Sequence, residues 1–199
     1  MGLVGCTATP RGDEGFTRYE YAAVRMGVRA RVVLYGTDEP LAATAAREAL
    51  ATIERLEQIM SDYRPSSELS TLARAAGTGE VAISPELAEV LHDAARVSEA
   101  SGGAFDVTIG PASLLWREAR DSGAAPDPAR VAAAAALIDW RRVVVREQTA
   151  EITTPGVNLD LGGIGKGAAA WAALEHLREL GYPRAMVALA GDVAVGDPP

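Results

Sequence analysis

Between residues 28 and 34 the chain alternates: Val28, Ala30, Val32 and Leu34 are apolar, while Arg29 and Arg31 are charged. A period of two puts the apolar set on one face of a half-buried strand, and the pattern predicts strands over Phe16–Val24 and Val28–Tyr35. The period then changes. Thr37-Asp38-Glu39-Pro40 supplies capping chemistry, and Leu50, Ile53, Leu56 or Glu57, and Met60 fall at helical spacing, so a helix runs to about Met60. Ser84-Pro85 opens a further helix, with Ser as N-cap and Pro at the first position. Its stripe is Leu87, Val90, Leu91, Ala94 and Val97, and Gly102-Gly103 stops it.

Farther along, Leu114–Ala119 reads as a short helix, Asp121–Pro128 as a loop, and Val131–Ile138 as an alanine-rich helix. Val143–Arg146 and Glu151–Thr153 form a strand pair. Asn158–Leu161 reads as a short strand running into Gly162-Gly163-Ile164-Gly165-Lys166-Gly167, and a helix follows to Leu180 with Trp171, Leu174 and Leu177 on one face. Gly181 and Pro183 end that helix, and Ala185–Leu189 is a buried strand. There is no internal repeat and no domain linker. The reading is α+β (mixed α/β): one unit over residues 16–199 behind a polar tether of residues 1–15.

Composition narrows the chemistry. Of 199 residues, 48% are hydrophobic, enough to fill a core. No run approaches the ~18 apolar residues of a membrane-spanning helix. A net charge of −8 excludes a uniform cationic face for nucleic acid, so any anionic ligand must be held by local devices. One cysteine excludes an internal disulfide and a cysteine-cluster metal site, and His92 and His176 are too few for a histidine-based one. That cysteine closes Leu3-Val4-Gly5-Cys6, a tetrapeptide of lipobox form, followed by the polar stretch Thr7–Gly15. Only five residues precede it, fewer than an export signal needs. The expectation is a lipid anchor at Cys6 and an exported lipoprotein of the cell envelope, its signal encoded upstream. A chance match would leave a cytoplasmic protein.

Three turns at element ends carry the candidate chemistry. Met60-Ser61-Asp62-Tyr63 through Ser67-Glu68-Leu69 reads as a helix end followed by a capping box, or as a loop mouth where Tyr63 offers a flat face to an aromatic ligand. Ser101-Gly102-Gly103-Ala104-Phe105-Asp106-Val107-Thr108 reads as a helix stop with a buried Phe. Equally, two glycines let the backbone approach a ligand beside Asp106 and Thr108. In Leu159–Gly167 a strand meets a glycine turn and a helix N-terminus, which suits an anion. Lys166, the only lysine in the chain, lies in this turn. The spacing is not that of a Walker A loop, and Gly165-x-Gly167-x-x-Ala170 matches a dinucleotide fingerprint only loosely.

Met26-Gly27, Met60-Ser61-x-Tyr63 with Ser67-Glu68-Leu69, Gly102-Gly103-Ala104-Phe105-Asp106-x-Thr108, Leu159-Asp160-Leu161-Gly162-Gly163-x-x-Lys166-Gly167 and Gly191-Asp192 occur in that order. Together, over residues 19 to 196, they resemble the FAD:protein FMN transferases, the ApbE-like flavin transferase family. The resemblance implies a bacterial enzyme that cleaves the FAD pyrophosphate, attaches FMN to a Thr or Ser hydroxyl of a target flavoprotein, and releases AMP with Mg²⁺ as cofactor. It also implies that Met26, Tyr63, Ala104, Phe105, Asp106, Lys166 and Ala172 contact FAD, with the Ala169 carbonyl as a metal ligand. A carboxylate such as Asp106 suits a ring amine better than a phosphate.

This chain departs from the family pattern in places. Val28 follows Met26-Gly27 where the family has Thr. The run Lys166-Gly167-Ala168-Ala169-Ala170-Trp171 replaces Lys-Gly-Tyr-Ala-x-Asp, and Ala190 stands in a Gly-Gly-Asp. A later His-x-x-Asp-Pro-x-Thr-Gly motif with side-chain metal ligands is not in these residues. The expectation is therefore a fold incomplete at its C-terminus, catalytic residues beyond residue 199, a fragment inactive alone, and Ala185–Leu189 as an unpaired sheet edge prone to aggregation. Two alternatives stay open: a flavin-binding relative without transferase activity, and an NAD(P)-dependent oxidoreductase. Under the first reading Tyr63, the Gly102–Asp106 turn and the Gly162–Gly167 turn converge on one cleft.

Overall fold

A computed structural model describes residues 7–10 and 15–199. The single α+β unit expected from the sequence divides into two compact units, and the second interrupts the first: residues 1–57 with 165–199, and residues 58–164. No linker marks the division, because it falls inside a continuous helix at one end and at a helix start at the other.

The first unit is an antiparallel sheet in the order β1-β2-β3-β7-β8, from strands β1 (Thr7–Pro10), β2 (Thr17–Arg25), β3 (Val28–Gly36), β7 (Ala185–Leu189) and β8 (Asp192–Val195). Register explains the alternation. Tyr21 pairs with Val32 and Val32 with Val187, while Tyr19 pairs with Leu34 and Leu34 with Ala185. All of these are buried, so one face of the central strands is a continuous apolar layer. Arg29 and Arg31 point the other way and are exposed. Helix α1 (Glu39–Met60) starts where Asp38 Oδ1 accepts from Leu41 N. It buries Ala42, Ala45, Ala46, Ala49, Leu50, Ile53 and Leu56. Helix α6 (Gly165–Glu179) lies against β7 and β8.

Two expectations change here. Ala185–Leu189 is not a sheet edge: β7 is hydrogen-bonded to β3 on one side and to β8 on the other. The strand β8 was missed because it is only four residues long and carries its apolar Val193 and Val195 outward. Within the stretch read as a tether, Thr7–Pro10 form a strand, because the outer edge of β2 offers its unpaired backbone groups to them. Cys6 lies outside the described residues.

The second unit holds α2 (Glu68–Arg74), β4 (Val81–Ala82), α3 (Pro85–Ala100), α4 (Gly110–Ser122), α5 (Pro128–Ala135), β5 (Val143–Val145) and β6 (Thr149–Ile152), with sheet order β4-β6-β5. Ser84 caps α3 through its hydroxyl, which accepts from Leu87 N, and Ser67 caps α2 in the same way from Ser70 N. Three readings shift. Helix α4 is longer than Leu114–Ala119. Helix α5 starts at Pro128 rather than Val131, because Asp127 caps it from Ala129 N, and it stops at Ala135. Asn158–Leu161 is not a strand. Leu159 and Leu161 are buried, but the backbone there has the single link Asp160 N to Val107 O and the turn bond Ile164 N to Leu161 O in place of a ladder.

Candidate functional site

In the first unit the β2–β3 and β7–β8 hairpins turn at the same end of the sheet, since Arg25 pairs with Val28, Ala30 with Leu189, and Leu189 with Asp192. Both turns contain a non-glycine residue with positive φ: Met26 at 50° and Ala190 at 52°. L-residues seldom adopt that region, and such strain collects at functional positions. The Met26 N–H donates to Glu57 Oε2 at 2.9 Å, which fixes this turn to the C-terminal half of α1. Lys166 stands in the first turn of α6, and its Nζ is 3.8 Å from Asp192 Oδ2, an ion pair too long for a hydrogen bond. Asp192 Oδ1 also faces Gly167, at 3.7 Å from a Cβ placed there, an ordinary contact distance. Met26 and Lys166 thus belong to the same end of this sheet. Ala172 is half-buried farther along α6.

Ala169, expected to lend its carbonyl to a metal, is fully buried inside α6. Helix geometry gives its carbonyl the N–H four residues ahead as one partner, which leaves the second lone pair of that oxygen for another. Among the described residues no group of three His, Cys, Asp or Glu side chains is placed to hold a cation.

In the second unit, Tyr63 is 70% exposed on the loop after α1. Arg117, from α4, sits over its ring at 4.2 Å from the centroid. The same guanidinium reaches Asp62 Oδ2 at 2.6 Å and Asp160 Oδ2 at 3.2 Å. Partial burial alone would lower the Arg117 pKa, but the hydrogen bond and charge of Asp62, with Tyr63 and Asp160, raise it above its ordinary value. The other oxygen of Asp160 accepts from Gly162 N at 2.8 Å, so the glycine turn is clasped from its first residue. Gly110 makes the close packing possible: a Cβ there would lie 2.5 Å from the Asn158 carbonyl oxygen.

Phe105 is half-buried and lies against the same turn, since a Cβ on Gly163 would meet its ring at 3.1 Å. Ala104 is exposed beside it. Asp106 is more occupied than the sequence suggests. Its Oδ1 accepts from Thr108 N and Thr108 Oγ1 at 2.8 and 2.7 Å, and its Oδ2 accepts from Trp140 N at 2.8 Å. Thr108 Oγ1 in turn accepts from Asp139 N. Three of the roughly four acceptor positions of this carboxylate are therefore used within the protein, leaving about one for a ligand.

The second unit therefore joins Tyr63, Phe105 and the Asp160–Gly163 turn into one neighbourhood, with Asp106 next to it in sequence. Sequence reasoning missed Arg117. Its partners are far away along the chain and it sits in no glycine turn; Asp62 and Asp160, inside two of the motifs, were the available signals.

The family model described as "ApbE family" matches residues 26–199. The chain is 32% identical over 177 residues to a FAD:protein FMN transferase of Klebsiella pneumoniae (strain 342), covering 88% of this chain and 55% of the relative. It is 31% identical over 183 residues to a FAD:protein FMN transferase of Treponema pallidum (strain Nichols), covering 88% and 51%. Among solved structures, a mutant of the flavin transferase ApbE from Vibrio cholerae superposes with a TM-score of 0.82 at 25% identity, covering 90% of this chain and 59% of that one. The apo flavinyl transferase ApbE of Pseudomonas stutzeri gives 0.80 at 21% identity, covering 93% and 58%, a likeness of fold. The chain spans about half the length of the curated relatives it matches.

Proposed function

The chain belongs to the ApbE family, and from that premise we propose that the whole protein is a FAD:protein FMN transferase. The observation that carries this reading is the ordered match over residues 26–199 to a family whose similar members bear that name. In the proposed reaction the hydroxyl of a Thr or Ser on an acceptor flavoprotein attacks the FMN phosphorus of FAD. The P–O bond to the AMP phosphate breaks, AMP leaves, and the hydroxyl proton is lost to a base. Positioning and charge stabilisation dominate such transfers.

The proposed FAD contacts are those the resemblance implies: Met26, Tyr63, Ala104, Phe105, Asp106, Lys166 and Ala172. Tyr63 offers an open aromatic face and Lys166 a cation at a helix N-terminus, where free N–H groups favour phosphate. Mg²⁺ enters the proposal through the resemblance alone. The Ala169 carbonyl is the ligand that the resemblance implies, and no step is assigned to the metal. We also propose attachment to the cell envelope through a lipid on Cys6. No helix among the described residues is long and apolar enough to cross a membrane.

The test is direct. The full-length protein, titrated with FAD, should give a saturable change in flavin fluorescence. With FAD and an acceptor flavoprotein it should release AMP in step with FMN-sized mass on an acceptor Thr or Ser. FAD binding without AMP release would favour the flavin-binding alternative, and preference for NAD(P) over FAD would overturn both.

A further inference from the structure

We infer that Arg117 is a positioning residue that locks the Tyr63 ring and the Asp160–Gly163 turn into one rigid surface for a flat heteroaromatic ligand. The proposal rests on the FAD reading and goes beyond it. The geometry is specific to a guanidinium. One nitrogen, Nη1, reaches Asp62 beside Tyr63, and the other, Nη2, reaches Asp160 at the start of the glycine turn. The plane between them covers the Tyr63 ring. A lysine ammonium has no planar fork with which to meet two carboxylates and a ring face together.

The consequences for the ligand follow from where the contacts end. Tyr63 is largely exposed although Arg117 covers the ring, so a stacking surface stays open to solvent. Arg117 is itself only about one-fifth exposed, and its charge is balanced by two acidic partners of similar burial, so it is a strut and not a free anion receptor. Asp160 passes the constraint to the turn through its second oxygen and Gly162 N. Without the strut, Tyr63 would sample several rotamers, and a ligand would have to order the ring at its own cost in entropy. Arg117 thereby acts on affinity through Tyr63.

The experiment is a double-mutant cycle in the full-length protein, with FAD affinity followed by flavin fluorescence and transfer kinetics by AMP release. Arg117→Gln should raise the Kd for FAD on the order of tenfold, with the loss falling on KM more than on kcat. Arg117→Lys should fall between wild type and Arg117→Gln. In a Tyr63→Ala background, Arg117→Gln should change FAD affinity severalfold less than in the unmutated background, because the ring it orients is gone and only its hold on the Asp160–Gly163 turn remains. Thermal midpoints of all variants are measured alongside, since a merely structural role would lower stability in both backgrounds and give independent losses of affinity. Such additivity, or a loss confined to kcat, would overturn the proposal while leaving the FAD reading intact. Failure of the unmutated protein to bind FAD would overturn the reading and the proposal together.

Discussion

Ala190 opens the β7–β8 turn with a φ of 52°, a conformation that favours glycine. Ala190→Gly should raise stability by roughly 0.5–1 kcal/mol, the relief of the left-handed backbone less the added freedom of the unfolded chain. A denaturant midpoint unchanged or lowered would show that the turn is not strained. Asp106 makes a different point. It satisfies three donors from Thr108 and Trp140, so Asp106→Ala should cost about 2–3 kcal/mol by leaving backbone N–H groups unpaired. It should also reduce FAD affinity and relax the preference for adenine, beyond what unfolding explains. Lys166→Ala should weaken FAD binding about tenfold or more, as loss of a charged contact would, with little effect on the midpoint. If Asp106→Ala lowers affinity only in step with unfolding, its role is structural.

Among the elements, Asp139 caps the 3-10 turn Trp140–Arg142 that leads into β5. The side-chain hydrogen bond from Arg141 holds the Asp139 pKa below its ordinary value. A group depressed in the folded state stabilises above its unfolded pKa of about 3.9, and that contribution is lost as pH falls through the folded value. The Asp139 carboxyl resonance should therefore titrate below the usual carboxylate range, and Arg141→Ala should move its midpoint upward. The elements also show what a sequence exposes. Ser84-Pro85 announced α3 because cap and helix start are adjacent residues. Asp127-Pro128 carries the same signal for α5, hidden by the alanines that follow. Leu159 and Leu161 imitated a strand because burial in an irregular segment produces the same alternation as a pleat. Tyr63 and the glycine turns were legible from short motifs. Arg117 was not, since nothing local distinguishes an arginine whose partners are brought to it only by folding.

At the scale of the whole molecule, sheet order decides where self-association begins. With β7 enclosed between β3 and β8, the border strand β8 carries two exposed apolar side chains, Val193 and Val195. In the 199-residue chain, Val195→Lys should slow concentration-dependent aggregation measured by light scattering, as a charge on an edge strand opposes pairing with another chain. An unchanged rate would place the sticky surface elsewhere.

The interrupted first unit has a consequence for the order in which the protein is made. Its central pairing joins Ala30 to Leu189, so β3 emerges from the ribosome and waits for β7 until residues 58–164 have been synthesised. The second unit is continuous and closes mostly shorter loops, so its backbone can become protected while two of the five strands of the first sheet are missing. In refolding followed by pulsed hydrogen exchange, amides of α3 should gain protection before those of β7. During synthesis the edge of β3 that pairs with β7, from Ala30 to Leu34, is left without its partner strand for that interval. This is the period when a nascent chain needs a chaperone most, and a pause in translation before residue 185 would lengthen it.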